Sequence, residues 1–293
     1  MPASARLALI APALATCLAL GAGAAELSSV ITLTHVDPEF GGLSALSVTE
    51  DGRQFHAIGD RGLFVRGEML REANGDLREV TLTTVMPLET GDDGPVRPGL
   101  QDAEGSALTP EGDLLVSYEG FARIERFSPE GRHLARLPHP AVFNSLQRNS
   151  SLEALAADER GWVYTVPERS GKLDRPFPVY RFDGRRWDTP FALPRRGDFL
   201  VVGMDFGPDG HLYLLERALR GVFFSTRVRR FEIAPEGRIT REETLLETPT
   251  GTHENLEGLA VWRDPEGRLR LTMVADDNFN LFLRNQIVEY RLD

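Results

Sequence analysis

Five copies of one short pattern run along the sequence, and this repetition constrains the fold more than any other feature. Each copy contains an apolar strand, a turn rich in Asp, Glu, Pro and Gly, and a second strand that ends at an acidic residue. The copies occupy residues 42–62, 104–120, 153–169, 203–217 and 253–280. Their starts lie roughly 49 to 62 residues apart, the period of four-stranded propeller blades rather than of helical solenoids.

Further strands complete each copy as a blade. A third strand follows every copy, and a fourth follows the first four copies. The predicted third strands are residues 63–69, 122–127, 179–182, 227–233 and 286–291, and the fourth are 77–86, 132–137, 187–193 and 239–247. The last copy stops at Asp293 without a fourth strand, whereas residues 27–36 have a strand pattern that belongs to no copy.

Residues 27–36 can supply the missing outer strand of the last blade, which would close the ring and remove an exposed edge. The sequence therefore predicts an all-β fold: a single propeller of five four-stranded blades, the last closed by the N-terminal strand. Six blades remain an alternative, although the insert at residues 89–99 is too rich in Gly and Pro to form one.

The first 24 residues have the features of a secretory signal peptide. Arg6 supplies a positive charge, residues 7–20 are apolar, and residues 22–24 are the small residues of a cleavage site. A membrane anchor is disfavoured, because the apolar segment is short and contains Pro12.

Cleavage would also remove Cys17, the only cysteine of the chain. Disulfides and thiolate metal sites are then excluded. A lipoprotein site at Cys17 is disfavoured, because Thr16 is bulky for its position and apolar sequence continues beyond the cysteine. We expect a periplasmic or secreted protein with one domain, residues 25–293, and no membrane insertion after cleavage.

The formal net charge of −11 argues against nucleic acid and anionic membranes as partners. It favours a protein that binds cations, or that binds anions through a cation or a local Arg cluster. The part after the signal peptide contains no G-x-S-x-G, H-E-x-x-H, P-loop or G-x-G-x-x-G motif, so no catalytic residue is assigned.

Acidic residues recur where a propeller would bring them together. The start of each inner strand and the end of each second strand open on one face, at the mouth of the central channel. The second-strand ends carry Asp60, Glu119, Glu168, Glu216, Asp276 and Asp277. The candidate metal ligands come from the starts of the inner strands and the ends of the second strands together. They are Asp60, Glu104, Glu153, Asp205 and Glu257.

Two interpretations of this acidic ring remain open. Clustered carboxylates are costly unless a cation or protons intervene, which favours a hard divalent cation, Ca²⁺ before others. Alternatively, each carboxylate caps backbone amides or pairs with an Arg of the neighbouring blade. Three arginines beside these acids, Arg61, Arg169 and Arg217, are candidates for binding an anionic substrate.

Several of these motifs resemble the phytase-like secreted proteins described as having the esterase-like activity of phytase. They are Gly-Gly-Leu-Ser at 41–44, Asp60–Arg61–Gly62, Asp102-x-Glu104–Gly105, and Asn255-x-Glu257–Gly258–Leu259 with 276–278. The resemblance implies hydrolysis of a phosphate ester or a carboxylic ester, with Ca²⁺ as the ion. It transfers no nucleophile to this sequence.

These observations favour an exported ester hydrolase with a cation site at the mouth, acting on a small anionic or ester substrate. Two other functions stay open: a non-catalytic periplasmic binding or scaffold propeller, and a lactonase-type hydrolase.

We predict that export removes the signal peptide near Ala24 or Ala25. Intact-mass measurement of protein recovered from outside the cytoplasm should give an N terminus at one of these residues. Recovery of that protein with residues 1–24 attached would contradict the prediction.

Overall fold

The structure is a computed structural model that describes residues 25–89, 91, 101–147, 150–280 and 282–292. The signal-peptide prediction and most of the insert at 89–99 lie outside these residues. No helix in the described part of the chain is long and apolar enough to cross a membrane.

Twenty strands form five antiparallel sheets of four strands each, and the prediction of five blades is confirmed. The ring begins with blade 1: β2 (Leu43–Val48), β3 (Gln54–Gly59), β4 (Leu63–Arg71) and β5 (Leu77–Pro87). Blade 2 contains β6 (Ala103–Leu108), β7 (Leu114–Tyr118), β8 (Arg123–Phe127) and β9 (His133–Arg136). Blade 3 contains β10 (Ala154–Ala157), β11 (Val163–Val166), β12 (Phe177–Phe182) and β13 (Trp187–Leu193). A 3-10 helix at Ala141–Ser145 precedes blade 3.

The last two blades follow the same order. Blade 4 contains β14 (Leu200–Phe206), β15 (Leu212–Arg220), β16 (Phe223–Ile233) and β17 (Ile239–Glu247). Blade 5 contains β18 (Asn255–Arg263), β19 (Leu269–Asp276) and β20 (Gln286–Leu292), with β1 (Glu26–Thr32) as its outer strand. β1 pairs antiparallel with β20, so the prediction that the N-terminal strand closes the ring is also confirmed.

The hydrophobic core is divided among the five contacts between neighbouring blades. Five buried clusters each combine apolar side chains from two adjacent sheets. For example, Tyr213 of blade 4 and Met273 of blade 5 belong to one cluster, and Phe55 of blade 1 and Val274 of blade 5 belong to the next. The inner strands β2 and β18 are buried along almost their whole length and therefore on both faces, whereas the outer strand β1 is mostly exposed or half-buried.

Two buried arginines link blade 1 to blade 5 across the point of closure. Arg71 on β4 donates two hydrogen bonds of 2.8 Å to Glu289 on β20 and stacks over Trp262. Thr272 Oγ1 donates to the same carboxylate at 2.6 Å. Arg270 on β19 donates to Asp76 of blade 1 at 2.7 Å. These contacts supplement the pairing of β1 with β20.

We expect Arg71→Met to destabilise the protein by about 3–5 kcal/mol, because it leaves the fully buried Glu289 carboxylate without its counter-charge. Arg126→Met is the matched control, since its partner Asp113 forms an exposed ion pair worth about 0.2–1 kcal/mol. Urea unfolding would measure both changes. Equal losses in the two variants would show that the Arg71–Glu289 pair does not hold the ring closed.

Candidate functional site

One residue of each inner strand faces the channel axis because of a local irregularity in the sheet. In blades 1, 2, 4 and 5 the register between the first two strands slips by one residue, and the extra residues are Ser44, Glu104, Val202 and Glu257. A β-bulge of this kind re-aims a side chain and increases local twist. In blade 3 the equivalent residue, Glu153, directly precedes β10.

These five residues line one small cavity on the axis. Its volume is about 10 Å³, room for one water-sized sphere, and all five inner strands contribute to its wall. Glu104, Glu153 and Glu257 are among its lining residues, so the structure brings these three predicted ligands together.

The glycine after the axial residue explains the recurring Glu-Gly pair. A Cβ on Gly105 would lie 2.7 Å from the carbonyl oxygen of Glu153, and one on Gly258 would lie 2.6 Å from the amide nitrogen of Leu46. Neighbouring inner strands therefore approach each other closely, and only glycine leaves space for that approach.

A second tier of acids surrounds the three glutamates. Asp102, Glu104 and Glu119 place carboxylate oxygens within 4.8 Å of one another. Glu119 also accepts the backbone N–H of Ser151 at 3.1 Å and shares a hydrogen bond with Glu153. Asp102 and Glu119 complete the cluster of oxygens, although they were not among the predicted ligands. The Asp102-x-Glu104 pair and the acid at the end of the second strand were the signals that could have identified them.

Blade 4 contributes a cation in place of an acid. Arg217 Nη1 donates to Glu257 Oε1 and to Asn255 Oδ1, and its Nη2 lies 3.5 Å from Glu168 Oε1. Burial alone would lower the pKa of Arg217, but the surrounding carboxylates, Glu257 first, raise it. Arg217, predicted to bind substrate, is thus engaged within the ring.

The acid before Arg217 points elsewhere. Glu216 is fully buried and accepts hydrogen bonds from Arg227 at 2.8 Å and Arg229 at 2.6 Å. Both arginines lie on β16 of the same blade, so Glu216 has a structural role within blade 4 rather than the contact with a neighbouring blade that the second interpretation gave to the acids.

Asp205 is not brought to the axis. Its Oδ2 accepts the backbone N–H of Val261 at 2.7 Å, which links blade 4 to blade 5, and burial raises its pKa to about 7. The reason is the register of β14: the bulge places Val202 at the axial position, three residues before Asp205.

The other two arginines lie at the rim with about half of each side chain exposed. The guanidinium of Arg61 stacks 3.5 Å above the centre of the Phe279 ring. Phe279 belongs to the loop after β19, in which Asn278 and Phe279 both have φ of 49°. Arg169 donates from Nε to Glu168 at 3.0 Å. Both leave guanidinium N–H groups available to an anion at the mouth.

The clustered acids hold protons more tightly than isolated carboxyls do. Burial, followed by repulsion from Glu257 and other neighbours, raises the pKa of Glu104 well above its usual range. Burial and then Glu104 do the same for Glu153. The pKa of Asp276 rises to about 8, through burial and then Glu257. The pKa of Asp60 rises to about 6, through burial first and despite the opposing effect of Arg61.

Three buried oxygens at the mouth have no hydrogen-bond partner among the described residues. They are Asp60 Oδ1, Ser151 Oγ and Asn285 Oδ1. Ser151 lies two residues before Glu153 in the sequence. Asp102 and Asn255 have the same position relative to Glu104 and Glu257. Unpaired buried oxygens are costly, and an ordered water molecule or an ion would satisfy them. A set of oxygens alone, several of them carboxylates, fits a hard cation such as Ca²⁺.

Comparison with known proteins identifies the family of this chain. A family model described as "Phytase-like: Esterase-like activity of phytase" matches residues 38–279. The chain belongs to this phytase-like family. The match includes all the acidic residues of the mouth that are named above, from Asp60 to Asp277. Among curated proteins, none matches the sequence significantly.

Several solved structures are similar to this chain at low identity. Virginiamycin B lyase from Staphylococcus aureus is 14% identical with a TM-score of 0.43, over 86% of this chain and 71% of its own. PQQ-bound aldose sugar dehydrogenase from Streptomyces coelicolor is 13% identical with a TM-score of 0.46, over 90% and 98%. U3-55K is 12% identical with a TM-score of 0.45, over 92% and 100%. These likenesses are too distant to bear on the chemistry of the mouth.

We predict that the protein without bound metal loses stability as the pH rises from 5 to 8. The folded state binds protons at Asp60 and Asp276 more tightly than the unfolded chain does, so their stabilising contribution is lost as pH rises through about 6 and about 8. Thermal unfolding in EDTA at a series of pH values would show a falling Tm.

Asp276→Asn should flatten this pH dependence, because it removes the carboxyl that must lose a proton. Asp183→Asn, in an exposed turn outside the mouth, should leave the dependence unchanged. A Tm in EDTA that stays constant or rises between pH 5 and 8 would contradict the prediction.

Proposed function

We propose that the protein is an exported hydrolase of phosphate or carboxylic esters, with a divalent cation, Ca²⁺ first, at the mouth of the propeller channel. The observation that carries the proposal is the convergence of Asp102, Glu104 and Glu119, whose oxygens lie within 4.8 Å of one another. Membership of the phytase-like family supports the class of reaction.

The cation would be held first by these three carboxylates. Glu153 and Glu257 line the same axial cavity, and Ser151 Oγ supplies a further oxygen without a partner. When bound, such a cation polarises the ester oxygen and favours attack by water. Binding also offsets the repulsion that raises the pKa values of the acids, so it requires the release of protons.

The remaining residues have separate roles in this proposal. Arg61 and Arg169, with exposed guanidinium groups, orient the anionic part of the substrate. Arg217 holds Glu257 and Glu168 in place within the ring. The unpaired Oδ1 of Asp60, a carboxyl with a pKa of about 6, accepts a proton from water near neutral pH.

The deciding experiment combines metal binding with an activity screen. Calorimetry on protein purified without chelator should detect Ca²⁺ binding, and Glu104→Gln should weaken it by about tenfold or more. Glu257→Gln should weaken it as well. Asp205→Asn is the matched control, because that carboxylate contacts Val261 rather than the mouth. It should retain Ca²⁺ affinity.

Activity would be screened on phosphate esters, carboxylic esters and lactones, with Ca²⁺ and with EDTA. We expect turnover of one ester class that EDTA abolishes and that Glu104→Gln reduces. Turnover of lactones alone would favour the lactonase. Ca²⁺ binding without turnover of any substrate would favour a non-catalytic binding propeller. Absence of Ca²⁺ binding, together with full activity of both Gln variants, would refute the metal-dependent mechanism.

A further inference from the structure

The exposed apolar side chains of this protein are concentrated on one face. The described residues include twelve large hydrophobic side chains that are exposed to solvent. Eight lie on the mouth face, which consists of the loops that join blades and the connections between second and third strands. The other four, Leu27, Val30, Leu70 and Leu134, lie within strands. The described loops at the opposite end of the ring carry none.

Four of the eight belong to connections between second and third strands: Phe121, Leu173, Val222 and Phe282. Leu219 and Phe223 lie in the ends of β15 and β16 on either side of Val222. These connections come from four different blades and therefore surround the channel axis. A small ligand at the mouth cannot contact all of them, whereas an extended flat surface can.

The connection of blade 4 is a projecting hairpin with an apolar tip. β15 and β16 remain paired up to Arg220 and Phe223, and the turn contains Gly221 with φ of 68°. β15 has nine residues, whereas β11 of blade 3 has four. The hairpin thus extends past Arg217, and it exposes 58% of Phe223 and 78% of Val222 at its tip.

Exposed charges on these connections are mostly positive. Arg61, Arg169, Lys172, Arg175, Arg220 and Arg284 are exposed, against a single exposed acid, Asp174. Arg61, Arg169 and Arg220 have acidic partners. No salt bridge among the described residues involves Lys172, Arg175 or Arg284. Lys172 and Arg175 flank Leu173, and Arg284 follows Phe282 by two residues.

We propose that the connections between second and third strands of blades 2 to 5 dock on an anionic lipid surface, with the apolar tips entering the interface and the neighbouring cations contacting headgroups. Apolar side chains flanked by Lys and Arg bind such interfaces through buried area and electrostatic attraction together. The net charge of −11 argued against this partner, but it sums every face of the protein and includes the acids buried in the channel.

The test is co-sedimentation of the exported protein with vesicles of phosphatidylglycerol and phosphatidylcholine, at low and high salt. The wild-type protein should bind vesicles that contain phosphatidylglycerol, and more weakly at high salt. Phe223→Ser combined with Phe282→Ser should reduce the partition coefficient by roughly tenfold or more. Lys172→Gln combined with Arg284→Gln should reduce binding to the anionic vesicles specifically.

The control is Leu70→Ser combined with Leu134→Ser, which changes two side chains of 47% and 49% exposure away from the mouth face. This variant should bind as the wild type does, and mass spectrometry should confirm the same N terminus in all variants. Absence of vesicle binding at low salt, or equal loss in tip and control variants, would overturn the proposal. So would a dimer that the tip variants dissociate, without any vesicle binding. The readout is binding rather than hydrolysis, so it is independent of the proposed catalytic function.

Discussion

Closure of the ring between blade 1 and blade 5 is the constraint on which the rest of the structure depends. The inner strands converge on an axis only if the last blade meets the first, and β1 and the Arg71–Glu289 pair bring this about. The mouth itself crosses this boundary: Asp277 of blade 5 accepts the backbone N–H of Gly42 at 2.9 Å. Any ligand that joins residues on both sides of the boundary would therefore also stabilise the closed ring.

The acids of the mouth oppose this closure. Burial and mutual repulsion raise the pKa values of Glu104, Glu153 and Asp276, and the partly buried Arg217 is a cation among them. A carboxylate with a structural role has matching cations, as Glu216 does with Arg227 and Arg229 of its own blade. Glu104 instead lies among other acids: its carboxylate and those of Asp102 and Glu119 come within 4.8 Å of one another.

The fold could be predicted from the sequence because propeller blades are local units. Turn residues, strand length and a repeat of roughly 50 residues are all visible along the chain. The closing strand could also be inferred, since an incomplete last blade requires a partner.

The site could be predicted only in part, because the side chains that face the axis depend on register. Glu104, Glu153 and Glu257 were recognised from their position at the start of inner strands. The candidate Asp205 lies three residues after the axial Val202, and the signal that could have placed the bulge is Gly203, which follows Val202 as Gly105 and Gly258 follow Glu104 and Glu257. The engagement of Arg217 by Glu257 depends on contacts between blades, which the sequence pattern does not specify.

The repeated bulge also separates the chemistry of the mouth from the stability of the blades. Ser44, Glu104, Glu153 and Glu257 line the axial cavity and belong to none of the five buried hydrophobic clusters, whereas Val202 lines the cavity and also packs in the cluster between blades 4 and 5. Substitutions at the first four positions can therefore alter the charge and ligand number of the mouth while leaving the packing between blades intact. The scaffold and the chemistry of its mouth can thus be changed independently at these four positions.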